Sequence, residues 1–167
     1  MSPPGETLRP VAGEDEAAAC ARLMAGSDPW LTLGRSVARA LEIVRDPTRE
    51  VTVAVREGAV TGFVIVSMAG PFVGYLQTVA VASGERGRGL GARLVAHAEA
   101  RIFRESPNVF LCVSTFNTGA RRLYERLGYA VVGELTDYLV RGHGELLLRK
   151  SRGPWDEFRP APAAATG

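Results

Sequence analysis

Three glycines within five residues interrupt the middle of the chain, in the segment Arg86-Gly87-Arg88-Gly89-Leu90-Gly91. A β-branched run over 75–81 precedes this segment, and apolar residues recur at helical spacing over 90–104 after it. Glycines remove Cβ bulk, so main-chain amides can converge on an anion, and the start of the helix adds its positive dipole. Two arginines add charge at the same place. The pattern predicts a strand–loop–helix unit that binds a pyrophosphate.

Two well-known phosphate loops do not fit this segment. No Gly-Lys-Ser/Thr sequence follows the glycines, which excludes the loop that binds magnesium nucleotides. The third glycine, Gly91, comes too early for the dinucleotide fingerprint, which places two residues between its second and third glycines. A flexible turn that binds nothing is the remaining alternative.

The periodic segments predict the element order β-α-α-β-β-β-α-β-α-β-β. Strands are predicted over 7–11, 51–56, 60–69, 75–81, 109–113, 130–140 and 145–150, and helices over 14–25, 36–44, 90–104 and 117–127. The fourth and fifth strands flank one helix, so this β-α-β unit makes them parallel with a right-handed crossover. The chain is therefore expected to be an α/β (α+β) protein with a ligand beside the carboxyl ends of these strands.

The length of 167 residues suits one domain with one core, which we place at 7–150. Residues 1–6 are expected to form an N-terminal tail. Residues 151–167 are rich in proline and alanine and are expected to form a C-terminal tail. Trp155 and Phe158 are unusual in a tail, but disorder is the favoured interpretation.

Charge and cysteine content restrict the partners and the compartment. The net charge of +2 is spread along the chain, which argues against nucleic acid or a membrane as the main partner. Cys20 and Cys112 belong to no cluster, so neither a disulfide framework nor a metal site is expected. The start of the chain does not resemble a signal peptide, and no apolar run is long enough to span a bilayer. A cytoplasmic location is expected.

Two motifs carry a resemblance to a known family. The pattern Arg86-x-x-Gly89-x-Gly91 after a β-branched strand resembles the acetyl-CoA motif of the GNAT family of N-acetyltransferases. The segment 117–129, which includes Asn117 and Tyr124, is similar to that family's second motif. The resemblance covers about 7–150. It implies a mixed, mostly antiparallel seven-stranded sheet with a central β-α-β unit, helices on both faces, and acetyl-CoA as co-substrate.

The resemblance also implies roles for individual residues. The amides of the glycine loop would hold the pyrophosphate, the edge of the fourth strand would pair with the pantetheine arm, and Asn117 would bond the same arm. Tyr124 would protonate the leaving thiolate and is the predicted catalytic residue. The expected cofactor-binding residues are Val79, Ala80, Val81, Arg86, Gly87, Arg88, Gly89, Leu90, Gly91, Ala92 and Asn117.

The general base is not evident in the sequence. Family members place a glutamate on the fourth or fifth strand, and Tyr75 and Cys112 occupy those places here. Glu134, Asp137 or Glu145 could act instead, although each is interpreted first as a solvated charge at a strand end. Deprotonating a lysine costs about 3.5 kcal/mol more than deprotonating a peptide α-amine, from their ordinary pKa values. A site without a strong base would therefore favour an amine of low pKa.

The sequence leaves two classes of primary amine open as the acceptor. Segments around Trp30 and Tyr138 are similar to segments of enzymes that acetylate the N-termini of ribosomal proteins, which predicts both as substrate-binding residues. Packing alone is an equally good interpretation of Trp30. A protein or peptide N-terminus is the first hypothesis, and a small amine such as a polyamine, an amino acid or an antibiotic is the second. A non-catalytic acyl-CoA-binding protein is the third, and a homodimer is left open.

Overall fold

The computed structural model describes residues 5–162, which form one sheet with helices on both faces. The strands are β1 (Glu6–Pro10), β2 (Arg49–Arg56), β3 (Ala59–Ser67), β4 (Tyr75–Val81), β5 (Asn108–Ser114), β6 (Ala130–Leu135) and β7 (Glu145–Ser151). The helices are α1 (Gly13–Ala25), α2 (Val37–Arg45), α3 (Leu90–Ile102) and α4 (Thr118–Arg126). The element order is the one that the periodicity predicts.

The seven strands lie in the order β1-β2-β3-β4-β5-β7-β6. Every neighbouring pair is antiparallel except β4 and β5, which α3 connects. The predicted fold, a mixed and mostly antiparallel sheet with one central β-α-β unit, is confirmed. The ligand cleft that such a unit implies must therefore lie between β4 and β5.

Alternating residues of the central strands supply two hydrophobic cores. On one face, Val53 and Phe63 pack with Met24 of α1 and other residues of α1 and α2. On the other face, Val64 packs with Leu94 of α3 and with residues of α4. The period of two in β2 and β3 thus divides the side chains between the two layers of helices. The sheet is covered on both faces and positions the ends of β4 and β5 between them.

The sixth strand is shorter than the sequence predicts, because it ends at Leu135 rather than at residue 140. Asp137 adopts a φ of 51°, in the left-handed region, and its Oδ1 accepts a hydrogen bond from the Gly142 amide at 2.6 Å. This bond closes a loop over 136–144. The sequence does not predict this loop, because the apolar residues Leu139 and Val140 are also typical of a strand. The loop carries Tyr138 toward the cleft.

The segment after β7 packs on the domain instead of being disordered. The Arg152 amide donates to the Pro107 carbonyl at 2.8 Å, and the Ala161 amide donates to the Arg104 carbonyl at 3.2 Å. The Arg152 guanidinium lies 3.9 Å from the ring centroid of Phe103. Residues 1–4 and 163–167, which belong to the two predicted tails, lie outside the described residues. None of the helices formed by 5–162 has the length and apolar character that crossing a bilayer requires.

Candidate active site

The strands β4 and β5 are joined only near their beginnings. Their parallel ladder consists of one residue pair, Tyr75 with Phe110, next to a hydrogen bond of 2.9 Å from the Phe110 amide to the Gly74 carbonyl. After Tyr75 the strand β4 pairs with β3 alone. The other edge of β4 therefore offers main-chain donors and acceptors to an extended ligand, as an unpaired strand edge does. No residue pattern in β4 marks this split, although the resemblance implies a free edge of β4 by assigning that edge to the pantetheine arm.

A β-bulge in β4 accounts for the split. Ile65 of β3 pairs with Thr78 and Val66 pairs with Leu76, so Gln77 is an extra residue in β4. A bulge bends its strand and leaves part of the ladder unpaired, and bulges are frequent beside active sites. The Oε1 atom of Gln77 is buried without a hydrogen-bond partner among the described residues. The bulge turns β4 away from β5 and opens the cleft.

The glycine loop leads into the start of α3 with free amides. Gly87 and Gly89 have φ angles of 74° and 78°, which only glycine adopts without strain. Gly89 is the N-cap of α3, and the first helical hydrogen bond runs from the Arg93 amide to the Gly89 carbonyl at 3.1 Å. The amides before Arg93 in α3 are therefore the unpaired donors that every helix start carries. Such a helix start without a capping side chain is an anion site.

The arginines of the loop are placed differently from the prediction. Arg86 turns back, and its guanidinium donates to the Val81 carbonyl and to Ser27 Oγ, both at 3.3 Å. The Arg88 guanidinium forms an ion pair with Glu85 at 3.7 Å, and its side chain is 63% exposed, so an anion at the surface can still reach it. Arg93, which sequence reasoning missed, donates to the Arg88 carbonyl at 3.1 Å. One arginine thus ties the loop to the segment after α1, and another fixes the loop from α3.

A cavity of about 400 Å³ opens where β4 and β5 part. Its walls come from β4, from the end of β5, from α4, and from the loops over 27–35 and 136–144. Six predicted site residues line it together, namely Trp30, Val79, Ala80, Asn117, Tyr124 and Tyr138. The glycine loop lies next to it, since a Cβ built on Gly91 would be 3.5 Å from Leu123 of α4 and 3.8 Å from Val81 of β4. The cavity and the anion site are therefore adjacent.

Tyr124 is a buried phenol on the wall of this cavity. Its residue is 8% exposed, and its ring packs edge-on against Tyr129 with 5.7 Å between centroids. Burial raises the pKa of Tyr124 to about 12. The phenol is therefore protonated at neutral pH and holds a proton that can be donated on the cavity wall, provided that the phenolate regains one from the reacting nitrogen.

Asn117 begins the helix that carries Tyr124. Its Oδ1 accepts a hydrogen bond from the Ala120 amide at 3.3 Å, which makes it the N-cap of α4, as the sequence predicts. The two residues are seven positions apart, which is close to two helical turns. This spacing places both on the side of α4 that lines the cavity.

Tyr75 and Cys112 occupy the strand positions where a carboxylate was sought. Burial raises the pKa of the Cys112 thiol above its ordinary value. Burial, together with Cys112, raises the pKa of the Tyr75 phenol as well. Both groups therefore stay protonated at neutral pH, and neither can act there as a base.

Glu145 is the one acid at this end of the cavity that is buried, which corrects its interpretation as a solvated charge. The residue is 3% exposed, lines the cavity, and accepts a hydrogen bond from Ser114 Oγ. Burial raises the pKa of its carboxyl above the ordinary value. Asp137 and Glu134 are exposed, and neither lines the cavity.

The outer wall of the cavity carries three arginines, which one aspartate, Asp28, partly offsets. Arg35 places its guanidinium 4.7 Å from the ring centroid of Trp30. Arg39 and Arg49 also line this wall, and each forms an ion pair with a neighbouring carboxylate, at 2.7 Å and 3.4 Å. The cation–π contact holds Trp30 half-buried at the mouth and leaves positive charge beside it.

Comparison with known proteins identifies the family. The profile of the acetyltransferase (GNAT) family matches residues 16–129, which is about two thirds of the chain. The chain belongs to the GNAT family. The family confirms the predicted enzyme class, an acetyltransferase that uses acetyl-CoA as its co-substrate.

The similar proteins include acetyltransferases with different acceptors. A blasticidin-S acetyltransferase from Streptomyces morookaense is 37% identical over 90 residues, or 50% of this chain and 66% of that enzyme, just under two thirds of its length. An aminoglycoside 6′-N-acetyltransferase solved with coenzyme A is 20% identical with a TM-score of 0.72, over 93% of this chain and 99% of that one. A ribosomal-protein alanine N-acetyltransferase from Escherichia coli is 17% identical with a TM-score of 0.69, over 87% and 93%. The two solved structures show the fold that the sequence resemblance implies.

Proposed function

We propose that this chain transfers the acetyl group of acetyl-CoA to the primary amine of a small molecule by direct attack. The observation that carries the proposal is the cavity where β4 parts from β5, because it brings Tyr124, the free edge of β4 and a buried carboxylate to one place. A cavity of about 400 Å³ is in the range of small-molecule sites, roughly 300–1,000 Å³. Part of it must hold the acetyl thioester, which leaves room for a compact acceptor.

The residues fit acetyl-CoA in two parts. The amides over 87–92, at the uncapped start of α3, suit the pyrophosphate. The unpaired edge of β4 at Val79, Ala80 and Val81 suits the two amides of the pantetheine arm, which can add to the sheet like a strand. The carboxamide of Asn117, at the adjoining end of α4, would bond the same arm.

The chemistry needs an oxyanion donor and a proton for the leaving group. A main-chain amide of β4 beside the bulge, at Val79 or a neighbour, can stabilise the oxyanion, since an amide fixed in a strand needs no reorganisation. Tyr124 can give its proton to the departing thiolate as the carbon–sulfur bond breaks. A chain that only binds acyl-CoA has no need for a protonated phenol and a buried acid on one wall.

Two observations favour a small molecule as the acceptor. The relative that is 37% identical over half of this chain is an antibiotic acetyltransferase. The wall around Trp30 contains Arg35, Arg39 of α2 and Arg49 of β2 together with one acid, Asp28, and this excess of arginine favours an amine with neutral or anionic substituents over a polyamine. A protein N-terminus is the second candidate, because Trp30 and Tyr138 both line the cavity, as the resemblance to N-terminal acetyltransferases predicts.

A thioester-consumption assay with a panel of acceptors tests the proposal. The panel contains nucleoside and amino-sugar antibiotics, amino acids, polyamines, and peptides with free N-termini. We expect turnover with at least one small amine and little with polyamines. Peptides as the only acceptors would make the second candidate correct. If no amine is acetylated although calorimetry shows acetyl-CoA binding, the chain is a binding protein and the proposal is wrong.

A further inference from the structure

Glu145 lies where the end of β5 meets the beginning of β7. It is the first residue of β7 and pairs with Ser114 of β5 on one side and with Leu135 of β6 on the other. Ser114 is 1% exposed, and its hydroxyl donates to Glu145 Oε1. The carboxylate is therefore held in one orientation on the cavity wall by a rigid part of the sheet, not by a loop.

This carboxylate has no ion-pair partner within residues 5–162. Burying an unpaired carboxylate is costly, and its ionised form is expected to gain from a cation that enters the cavity. The acceptor is such a cation, because a primary amine is mostly protonated at neutral pH. The ionised Glu145 carboxylate thus supplies the negative charge that would pair with an incoming ammonium.

The groups that face Glu145 come from several elements. Tyr75 of β4 and Cys112 of β5 line the same part of the cavity, and both stay protonated. His143, two residues before Glu145, acts against burial and lowers the pKa of the Glu145 carboxyl. On the side of β6, the carboxylate of Glu134 lies near Gly144, 2.7 Å from a Cβ built there, and it does not shift the pKa of Glu145.

We propose that Glu145 is the general base of the acetyl transfer and that Ser114 is its positioning residue. The proposal rests on the proposed function, since it needs an amine as acceptor. It moves the base from the strand positions of Tyr75 and Cys112 to the start of β7, the strand next to β5.

The proton balance of this reaction is complete. Glu145 takes one proton from the ammonium, directly or through one water, and later releases it to solvent. The neutral amine attacks the thioester carbon, and the carbon–sulfur bond breaks with its electron pair going to sulfur. The thiolate takes the proton of Tyr124, and the phenolate regains one from the nitrogen that becomes the amide. The products are the acetylated amine, coenzyme A and one proton.

The first test is Glu145→Gln, with kcat measured against pH at saturating acceptor. In the wild type the acid limb of the profile follows the ionisation of Glu145 and stays in place when acceptors of different pKa are compared. In Glu145→Gln we expect kcat near pH 7 to fall by about 100-fold or more, the typical range for loss of a general base. The remaining acid limb should then follow the pKa of whichever acceptor is used.

The second test is Ser114→Ala, which keeps the carboxylate. The hydroxyl of Ser114 stabilises the charged form of Glu145, so its removal raises the pKa of that carboxyl and moves the acid limb to higher pH. Activity is present above this pKa and is lost as the pH falls through it. Ser114→Thr should restore the limb. A purely structural role for Ser114 would lower the plateau without moving the limb.

Glu134→Gln is the matched control, because Glu134 is an exposed carboxylate on the neighbouring strand and does not line the cavity. It should keep the wild-type kcat and acid limb. Calorimetry with acetyl-CoA checks that each variant is folded. If Glu145→Gln does not fold, an acid limb that stays in place in Ser114→Ala overturns the proposal. A Glu145→Gln enzyme with the wild-type kcat and acid limb would show that Glu145 is not the general base, and it would leave the proposed function unaffected. A wild type that acetylates no amine overturns the proposed function instead.

Discussion

Replacing Gly89 by alanine separates the cost of strain in the glycine loop from the loss of a ligand site. Gly89 has a φ of 78° and caps α3, and a Cβ built there meets only Arg93 Nη1, at 3.5 Å. An alanine therefore collides with nothing, but it must adopt the left-handed region, which costs roughly 1–2 kcal/mol for an L-residue. For a chain of this size the melting temperature should fall by about 2–4 °C per kcal/mol. The free protein should thus lose about 2–8 °C.

The loss of acetyl-CoA affinity should be larger than this strain implies. If the loop relaxes to a negative φ, at least one amide of the anion site turns away from the pyrophosphate. A hydrogen bond to a charged group contributes about 1.5–3 kcal/mol, so each lost bond should weaken binding by about 10- to 150-fold. The assay is calorimetric titration with acetyl-CoA, together with melting curves in its presence and absence.

Gly91→Ala is the control within the same loop. Gly91 is in the first turn of α3, has no positive φ, and would place its Cβ in ordinary contact with Leu123 and Val81. Alanine is favoured over glycine in a helix by roughly 0.5–1 kcal/mol, so this variant should melt at or above the wild-type temperature. Alanine leaves the main-chain amide of residue 91 in place, so Gly91→Ala should weaken acetyl-CoA binding less than Gly89→Ala does. If Gly89→Ala binds acetyl-CoA with wild-type affinity, the loop does not hold the pyrophosphate and our reasoning fails.

Two further substitutions test the cavity wall. Tyr124→Phe keeps the ring packed on Tyr129 and removes the proton donor, so kcat should fall by roughly 100-fold or more while acetyl-CoA affinity stays constant. Tyr129→Phe is the control, because Tyr129 lies outside the cavity. Equal losses of kcat in both variants would contradict a specific role for Tyr124. Cys112→Ser should change kcat less than about threefold, because the raised pKa of the thiol keeps it from acting as a base or nucleophile. A complete loss of turnover in this variant, with acetyl-CoA still bound, would return the search for the base to β5.

The parts of the fold that the sequence predicts are those with a local cause. Three such features depend on residues that are close together in the sequence, namely the glycine loop, the cap at Asn117 and the alternating strands. The predicted end of β6 at residue 140 was wrong. The strand ends at Leu135, and the loop that follows depends on one hydrogen bond, from the Gly142 amide to Asp137. The packing of 152–161 was missed because its partners, such as Pro107 and Arg104, lie about 50 residues earlier.

The candidate site also depends on contacts between residues that are far apart in the sequence. The bulge at Gln77 exists only in the register of β4 against β3, and no residue pattern within β4 marks it.

A glutamate at a strand end is usually solvated, and Glu145 differs because β5 and β6 enclose it on both sides. Sequence spacing cannot reveal this enclosure, since Ser114 and Glu145 are 31 residues apart. A base supplied by β7 faces the same part of the cavity as Tyr75 and Cys112, so the acceptor must present its amine between Glu145 and the thioester. That geometry links the choice of acceptor to β7 and to the loop over 136–144, and it explains why Tyr138, on that loop, lines the same cavity.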